Sequence, residues 1–331
     1  MTARNSKRGV VPQRALRLVA AGAALLGLMW PTVQADEFER ISEQVKASSE
    51  IPFPYRVQFR RINFGRSGAV PLRRDEFEAL LRKSRFEAGG EAFKAFSEET
   101  CIHAKIYEMP WQSGTTTFDG RRFRVDSEMS LSGSQTRVKD LELYDGQHSF
   151  QKSSNSGMTQ IDVSRGTSAS GAADPASYRY AATLSALTET RLERQAGLFV
   201  ILGRLSDWQV QVRLDDQTLL LREEWRTDGD SIAVVYQVGT LDCSGVPFPR
   251  FSCRARYKNE RLSGLTATVI DSVDQVDATA PDLFTIPATQ GDTIVDHSRE
   301  WLGGKQSVSR APADTKDLGR VLTSPAGWAD P

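Results

Sequence analysis

"LYDGQHSFQK" (residues 143–152) and "TFDGRRFRVD" (residues 117–126) decide the fold of this chain. Each stretch places an Asp-Gly pair between two runs that are typical of β-strands. A type I′ hairpin turn needs positive φ at both central residues, a conformation that Gly adopts freely and Asp tolerates. Together with a third pair further along the chain, these stretches predict β-hairpins that turn at Asp119-Gly120, Asp145-Gly146 and Asp228-Gly229.

The runs beside these turns alternate between apolar and polar residues. In "WQVQVRL" (208–214), Val210 and Val212 alternate with Gln209 and Gln211. Successive side chains of a strand point to opposite faces, so this alternation indicates strands with one buried face. Parallel strands covered on both faces would instead read as unbroken apolar runs. We therefore predict an antiparallel sheet with a single apolar surface. The same alternation occurs in YRVQFR (55–60), RFRVDSEM (122–129), IAVVYQV (232–238) and FSCRARY (251–257).

Three segments break the β pattern and carry apolar residues at helical spacing. They are residues 36–48, residues 74–98 with an interruption at Gly89-Gly90, and residues 184–205. A sheet with one apolar surface must cover it with other elements. We therefore predict that these helices cover the apolar surface, in an α+β fold that is mainly β.

The first 35 residues have the order of a secretory signal. Five basic side chains without an acid precede an apolar stretch at 18–30, and "VQA" then precedes Asp36. The apolar stretch is shorter than the about 20 residues that cross a bilayer, although a permanent amino-terminal anchor is the alternative. We predict cleavage after Ala35 and a periplasmic or secreted protein.

The rest of the chain divides into a predicted domain and a tail. Residues 36–302 carry the strand and helix patterns, and we interpret them as a single β domain with helical segments. Residues 303–331 lack periodicity and are rich in Gly, Ser, Pro and charged residues. This composition predicts a flexible tail.

The charge balance argues against a nucleic-acid partner. The chain has 42 basic and 42 acidic residues, and removal of residues 1–35 leaves 37 basic against 42 acidic residues. A mildly acidic protein with mixed charges lacks the basic surface that nucleic-acid binding requires.

Export would permit disulfide bonds among the three cysteines. Cys243 and Cys253 flank "SGVPFPRFS" (244–252), which we interpret as a loop between two strands. The pair is therefore either a cross-strand disulfide or two buried thiols. Cys101 is then unpaired, and we expect it to act as a small buried hydrophobe.

Motifs of catalysis or metal binding are absent from the sequence. The three histidines are isolated, and the chain has no H-E-x-x-H, G-x-S-x-G, phosphate-loop or dinucleotide-binding pattern. Glu223 and Glu224 in "LREEW" (221–225) are the most conspicuous carboxylates. Adjacent strand residues face opposite ways, so these two cannot act as a catalytic pair. Glu223 either lies on the packed side or sits at a rim beside an Arg. We predict a protein that is not an enzyme and that has no cofactor and no metal ion.

Residues 273–300 have a recognisable layout. A strand and an acidic linker precede "FTIP" (284–287) and "GDTIVD" (291–296). In this layout, and in the strand pairs of "FDGRRFRVD" and "LYDGQHSF", the chain resembles the outer-membrane lipoprotein carrier (LolA/LolB-like) superfamily. It is most similar to the large exported members from planctomycete-type bacteria. The resemblance implies a strongly curved, unclosed antiparallel sheet, or half barrel, whose concave apolar face is covered by helices and takes up acyl chains.

We therefore hypothesise a binding or carrier protein with an apolar pocket between sheet and helices. Such concavities are the usual ligand sites of proteins. The expected partners are a hydrophobic ligand or a lipoprotein, with peripheral membrane contact as a further option. The alternative is a structural or sensory domain, with a filled interior, that binds an envelope protein. A hydrolase with two convergent carboxylates is a third option. The predicted pocket residues are Val57, Phe59, Phe123, Val125, Val212 and Trp225.

Overall fold

A computed structural model describes most of the chain between residues 31 and 319. The described residues are 31–49, 51–65, 70–84, 86, 90–106, 110–120, 122–130, 137–155, 158–165, 181–277, 283–297, 307–311 and 313–319. Their helices are α1 (Pro31–Ser49), α2 (Arg74–Lys83), α3 (Gly90–Ala104) and α4 (Ala181–Ala186). Residues 1–30 of the predicted signal segment lie outside the described residues, and cleavage after Ala35 stays a prediction.

The strands pair into one large sheet that is curved and unclosed. The first six strands are β1 (Tyr55–Gly65), β2 (Trp111–Phe118), β3 (Phe123–Ser130), β4 (Arg137–Tyr144), β5 (His148–Asn155) and β6 (Met158–Arg165). The next five are β7 (Thr188–Gln195), β8 (Leu198–Leu205), β9 (Trp208–Asp215), β10 (Leu221–Asp228) and β11 (Ser231–Cys243). The last four are β12 (Val246–Lys258), β13 (Arg261–Gln275), β14 (Thr293–Asp296) and β15 (Ser307–Arg310).

The strand order across the sheet is β15-β14-β6-β5-β4-β3-β2-β1-β13-β12-β11-β10-β9-β8-β7. Most neighbours are antiparallel and joined by hairpins, whereas β14 pairs with β6 in parallel. The predicted fold class, mainly β with a curved antiparallel sheet and helices, is confirmed.

The three Asp-Gly hairpins form, but their turns differ from the predicted type. At Asp145-Gly146 the glycine takes φ +102°, while Asp145 Oδ1 accepts hydrogen bonds from the backbone N–H groups of Gln147 and His148. The aspartate thus contributes as an acceptor and not through positive φ. Two-residue turns with positive φ at both positions occur instead at Ser244-Gly245 and Asn259-Glu260.

Apolar residues lie on both faces of the sheet, so the expectation of a single apolar surface is wrong. Val234 and Val235 are neighbours in β11 and therefore point to opposite faces. Val234 belongs to a core packed under α2 and α3, and Val235 belongs to a core packed under α1 and α4. The α2 face is defined here as the face of Val234, and the α1 face as the face of Val235.

On the α2 face, the core is rich in aromatic rings. Phe86 stacks on Phe251 of β12 with ring centroids 3.7 Å apart, and Phe96 of α3 meets both rings edge-on. Phe77 and Leu81 of α2 are buried on the same side. The aromatic contacts and the buried apolar area hold the α2–α3 pair on β11–β13. Helix α2 ends at Lys83 and α3 begins at Gly90, in agreement with the predicted interruption at Gly89-Gly90.

On the α1 face, the core consists mainly of aliphatic side chains. Ile41 and Val45 of α1 pack against Val212 of β9 and Ile201 of β8, all of them nearly inaccessible to water. Residues 184–205 contribute to this core mainly as strands, so the helix predicted there is wrong. Helix α4 ends at Ala186, and the rest is the hairpin of β7 and β8. The β-branched and aromatic "LFVIL" favours a strand, and sheet pairing decides the outcome.

Part of the predicted tail belongs to the sheet. Strand β15 (Ser307–Arg310) pairs with β14, and Ala311 and Leu318 are buried against the apolar side of β4–β6. Backbone hydrogen bonds between Ala288 and Thr315 hold this segment. The prediction of a flexible tail from residue 303 is therefore wrong for residues 307–311 and 313–319, and the remainder of the tail lies outside the described residues.

All three cysteines are free thiols, so of the two alternatives for Cys243 and Cys253 the structure shows two buried thiols and not a disulfide. The segment 244–252 is a two-residue turn followed by β12, and Cys243 therefore pairs with Val246. Cys253 lies seven residues further along β12, about 23 Å away at the usual rise of a strand. A disulfide needs Cα atoms within about 7 Å. Burial raises the pKa of the Cys243 and Cys253 thiols. Cys101, expected to be buried, is partly exposed.

Candidate functional site

A cavity of about 760 Å³ lies on the α2 face, between α2 and strands β9–β11. It is called the α2 cavity below. Its apolar lining comes from Leu81 of α2, Trp225 of β10, and Tyr236 and Val238 of β11. Its polar lining consists of Glu78, Arg82, Ser84, Arg213, Arg222, Glu223 and Gln237.

The strand register explains why these side chains meet. Glu223 of β10 stands opposite Arg213 of β9 on one side and opposite Tyr236 of β11 on the other. Residues directly opposite on antiparallel strands share a face and lie within contact distance. An irregularity between Leu221 and Glu223 then sends Leu221 into the core on the α1 face. The bulge therefore separates the polar rim from the aliphatic core.

Glu223 joins the polar and apolar parts of the cavity. Its Oε2 accepts hydrogen bonds from Arg213 Nη1 at 2.9 Å and from Trp225 Nε1 at 3.2 Å. The guanidinium of Arg74 lies over the Trp225 ring, 5.4 Å from its centroid. Such cation–π contacts fix an aromatic ring in place. Glu223 is thus a rim carboxylate paired with an Arg, one of the two positions expected from the sequence.

Helix α2 is tied to the sheet by a hydrogen bond at the cavity. Tyr236 Oη donates to Glu78 Oε1 at 3.2 Å. Burial, with a further contribution from the Glu78 carboxylate, raises the pKa of Tyr236, so the hydroxyl stays protonated and able to donate. Glu78 also pairs with Arg82 at 2.9 Å. Both carboxylates of the cavity, Glu78 and Glu223, are therefore engaged with guanidinium groups.

Asp215 positions a second arginine at the cavity. Burial opposes ionisation of Asp215, but hydrogen bonds from Arg222 and Thr218 outweigh it and lower the pKa to about 2. Arg222 Nη2 lies 2.7 Å from Asp215 Oδ2, and the Thr218 backbone N–H donates to Asp215 Oδ1 at 2.9 Å. Asp215 is therefore ionised at neutral pH and holds Arg222 at the rim.

The predicted pocket residues fall into three places. Val57, Phe59 and Val125 are buried in one apolar cluster on the α1 face, and Phe123 packs against it. Val212 lies on the same face but is sealed in the separate core under α1. Trp225 lines the α2 cavity. The structure thus brings four of the six residues together, but as packed core, and it places one of them at a cavity.

The other residues of the α2 cavity were missed by the sequence patterns. Leu81 was assigned to a covering helix, and Tyr236 and Val238 were assigned to a strand, without any indication that they share a cavity. Polar residues that alternate with apolar ones are typical of the solvent-facing side of a strand, and Arg213 in "WQVQVRL" (208–214) follows that pattern. Its position two residues from the end of β9 is a local signal, whereas its place opposite Glu223 follows only from the strand register.

A second groove of about 490 Å³ lies over β2–β5, and most of the residues that line it are of polar types. Asp126 pairs there with Arg124 at 2.7 Å, and Lys152 Nζ donates to the Pro287 carbonyl at 2.8 Å. Within the described ranges, no group of three or more His, Cys, Asp or Glu side chains could hold a metal ion. In the same part of the chain, none of the helices combines the length and apolar character needed to cross a membrane.

Comparisons with known proteins give likenesses among solved structures. No protein-family model and no curated protein sequence matches the chain. The chain is similar to an outer membrane lipoprotein-sorting protein domain from Vibrio parahaemolyticus, with 8% identity, a TM-score of 0.40, and coverage of 75% of this chain and 97% of that chain. It is also similar to a DUF1329 family protein from Desulfovibrio piger, with 8% identity, a TM-score of 0.38, and coverage of 76% and 97%.

A third similar structure is a LolA superfamily protein from Nitrosomonas europaea, with 6% identity, a TM-score of 0.40, and coverage of 76% of this chain and 98% of that chain. The LolA superfamily, which the sequence resembles, is thus the one to which this third structure is ascribed.

Proposed function

We propose that this protein is a non-enzymatic binding or carrier protein for a hydrophobic ligand, such as a lipid or a lipoprotein acyl chain. The α2 cavity is the observation that carries the proposal. Its volume of about 760 Å³ falls within the roughly 300–1,000 Å³ of small-molecule sites. Its lining combines four apolar or aromatic residues with seven polar ones. In such sites the apolar surface binds the ligand and the polar groups fix its orientation.

The α2 cavity, and not a single apolar surface of the sheet, supports ligand binding. Val57, Phe59, Phe123 and Val125 pack as core, so they support the fold and are not assigned to the ligand. Trp225 is the predicted residue that stays assigned to ligand binding, and Leu81, Tyr236 and Val238 join it.

Export to the cell envelope is part of the same proposal. Its support is the basic and apolar order of residues 1–35, which is typical of a secretory signal. A lipoprotein or a lipid of the envelope would then be the source of the ligand, with peripheral contact at the membrane.

A fluorescent fatty-acid probe tests the ligand-binding proposal. The wild-type protein should bind the probe saturably, and Trp225→Ala should weaken binding by about tenfold, because the apolar contact with the ring is lost. Trp208→Ala is the matched control. Trp208 is also a partly buried tryptophan of the sheet, but it packs against the core on the α1 face. This variant should bind the probe as the wild type does.

Native mass spectrometry of the gently purified protein provides a second measurement. We expect a co-purified lipid that is lost from Trp225→Ala. An absence of both lipid and probe binding would favour the alternative function, a structural or sensory domain that binds a protein partner at the cell envelope.

A further inference from the structure

Two arginines of the α2 cavity, Arg222 and Arg213, differ in how many of their N–H donors have a hydrogen-bond acceptor. Arg222 directs both Nε and Nη2 to Asp215 Oδ2, at 3.3 and 2.7 Å. Arg213 directs Nη1 to Glu223 Oε2 at 2.9 Å, but its Nε is buried without a hydrogen-bond partner. A guanidinium carries five donors in a planar fork, and buried donors are nearly always satisfied. Among the residues that line this cavity, Arg213 and Gln237 have buried polar atoms without a hydrogen-bond partner, and Arg213 is the charged one.

The missing acceptor is best supplied by an anion. Phosphate and carboxylate oxygens match the fork of an arginine and form shorter, stronger hydrogen bonds with it than neutral oxygens do. Glu223 already occupies one side of the Arg213 guanidinium through Nη1. The Arg213 side chain as a whole is 35% exposed, so a second anion can approach the guanidinium and leave this ion pair in place.

The position of Arg213 relative to the apolar floor defines the rest of the ligand. Glu223 Oε2 binds Arg213 and Trp225 at the same time, so the guanidinium and the indole ring are held side by side. Val238 and Leu81 continue the apolar lining of the same cavity. A ligand with its head at Arg213 therefore has an apolar surface available for its tail.

We infer that the α2 cavity binds an amphiphile whose head group is a phosphate or carboxylate, with the head at Arg213 and the tail against Trp225. This inference rests on the proposed function and names the class of ligand. It assigns Arg213 as a specificity-determining residue, a role that the sequence pattern did not indicate.

Calorimetric titration with three probes tests the inference: dodecyl phosphate, dodecanol and inorganic phosphate. The wild type should bind dodecyl phosphate about tenfold or more tightly than dodecanol, which has the same tail. Inorganic phosphate should show no measurable binding, because it lacks the tail. Arg213→Leu should reduce the preference for dodecyl phosphate to about twofold or less.

Two further variants make the result specific. Arg213→Lys keeps the charge but loses the fork, and it should show an intermediate preference for dodecyl phosphate. It also decides the outcome if Arg213→Leu fails to fold by circular dichroism. Arg204→Leu, on neighbouring strand β8 where Arg204 pairs with exposed Glu189, should keep the wild-type preference.

Equal affinity of the wild type for dodecyl phosphate and dodecanol would overturn the inference, and so would a full preference in Arg213→Leu. Binding of inorganic phosphate as tight as that of dodecyl phosphate would overturn it too, since the site would then take a free anion. If both dodecyl probes bind equally and Trp225→Ala weakens both, the proposed function stands and this inference fails. If neither dodecyl probe binds, both fail.

Discussion

Strands β9, β10 and β11 are covered on both faces, and the two covers differ. On the α1 face, Val212, Leu214 and Leu221 are almost completely buried under α1 and α4. On the α2 face, the same strands present Arg213, Glu223 and Trp225 to a cavity of about 760 Å³. One sheet therefore carries a closed core and an open site back to back.

The difference shows how the type of side chain on a sheet face decides whether that face becomes a packed core or the wall of a cavity. Aliphatic side chains interdigitate to the density of a crystal and leave little space. Long charged side chains keep their heads hydrated and pair with one another, so a helix above them cannot approach as closely. The polar residues of β9 and β10 thus keep α2 from closing over Trp225.

The largest effect is expected when one charge is placed on each face of the sheet. Val212→Asp should lower the free energy of unfolding by more than about 3 kcal/mol, because the carboxylate has no partner in the aliphatic core. Val238→Asp, in the partly open lining of the α2 cavity, should lower it by less than about 1 kcal/mol. Urea unfolding followed by circular dichroism measures both values. Similar losses for the two variants would mean that the α2 cavity is a closed core.

The acid stability of the cavity rim is the second test. The folded pKa of Asp215 is about 2, below its ordinary value of 3.8. A lowered pKa contributes stability that is present above about pH 4 and is lost as the pH falls towards 2. Because part of the carboxylate is exposed, we expect a contribution of about 1–2 kcal/mol.

Asp215→Asn is the variant for this test. It should lose about 1–2 kcal/mol at pH 7 and should show a weaker fall of stability between pH 4 and pH 2. Asp207→Asn, in the turn between β8 and β9, is the matched control and should keep the wild-type profile. An unchanged acid limb in Asp215→Asn would contradict the assigned role.

Glu224 provides the smallest expected effect and concerns the α1 face. It is almost completely buried in β10, pairs with Arg226, and has an Oε2 without a hydrogen-bond partner. Burial raises its pKa, and the charges of Arg226 and Arg254 oppose this effect. A raised carboxyl pKa means that the folded state holds the proton more tightly, so stability declines as the pH rises through that pKa.

Glu224→Gln removes this dependence. We compare the free energy of unfolding of the variant with that of the wild type at pH 4 and at pH 8. The difference should shift in favour of the variant by about 1 kcal/mol between these two pH values, because the buried side chain of the variant does not ionise. Chemical unfolding of both proteins across this pH range checks the sign. A wild type that gains stability over Glu224→Gln as the pH rises would show that the Arg226 pair outweighs burial.

Periodicity was a reliable guide where buried residues alternate with more exposed ones along a strand, as in β9. The alternation in residues 208–214 and 251–257 predicted β9 and β12, and the interrupted pattern of 74–98 predicted the α2–α3 pair. It was unreliable in residues 184–205, where an apolar run is compatible with helix or strand until its neighbours are known. Strand β8 is decided by pairing with β7 and β9.

The site was less predictable than the fold. Trp225 was selected because it is apolar and aromatic, and Val212 was selected for the same kind of reason. Both lie in adjacent strands, yet they end on opposite faces of the sheet. The assignment of a face depends on the irregularity at Leu221 and Glu223 and on which helix covers which side. Neither feature has a signature in the local sequence.

What the sequence by itself determined is the alternating strands β1, β3, β9, β11 and β12, the three Asp-Gly hairpins and the amphipathic α2, because alternation and turn propensity act within a few residues. The tertiary structure alone decided that both faces are covered, that Cys243 and Cys253 are far apart, and that Arg213 stands beside Trp225. These outcomes depend on register and on long-range packing, where a shift of one residue moves every side chain to the other face.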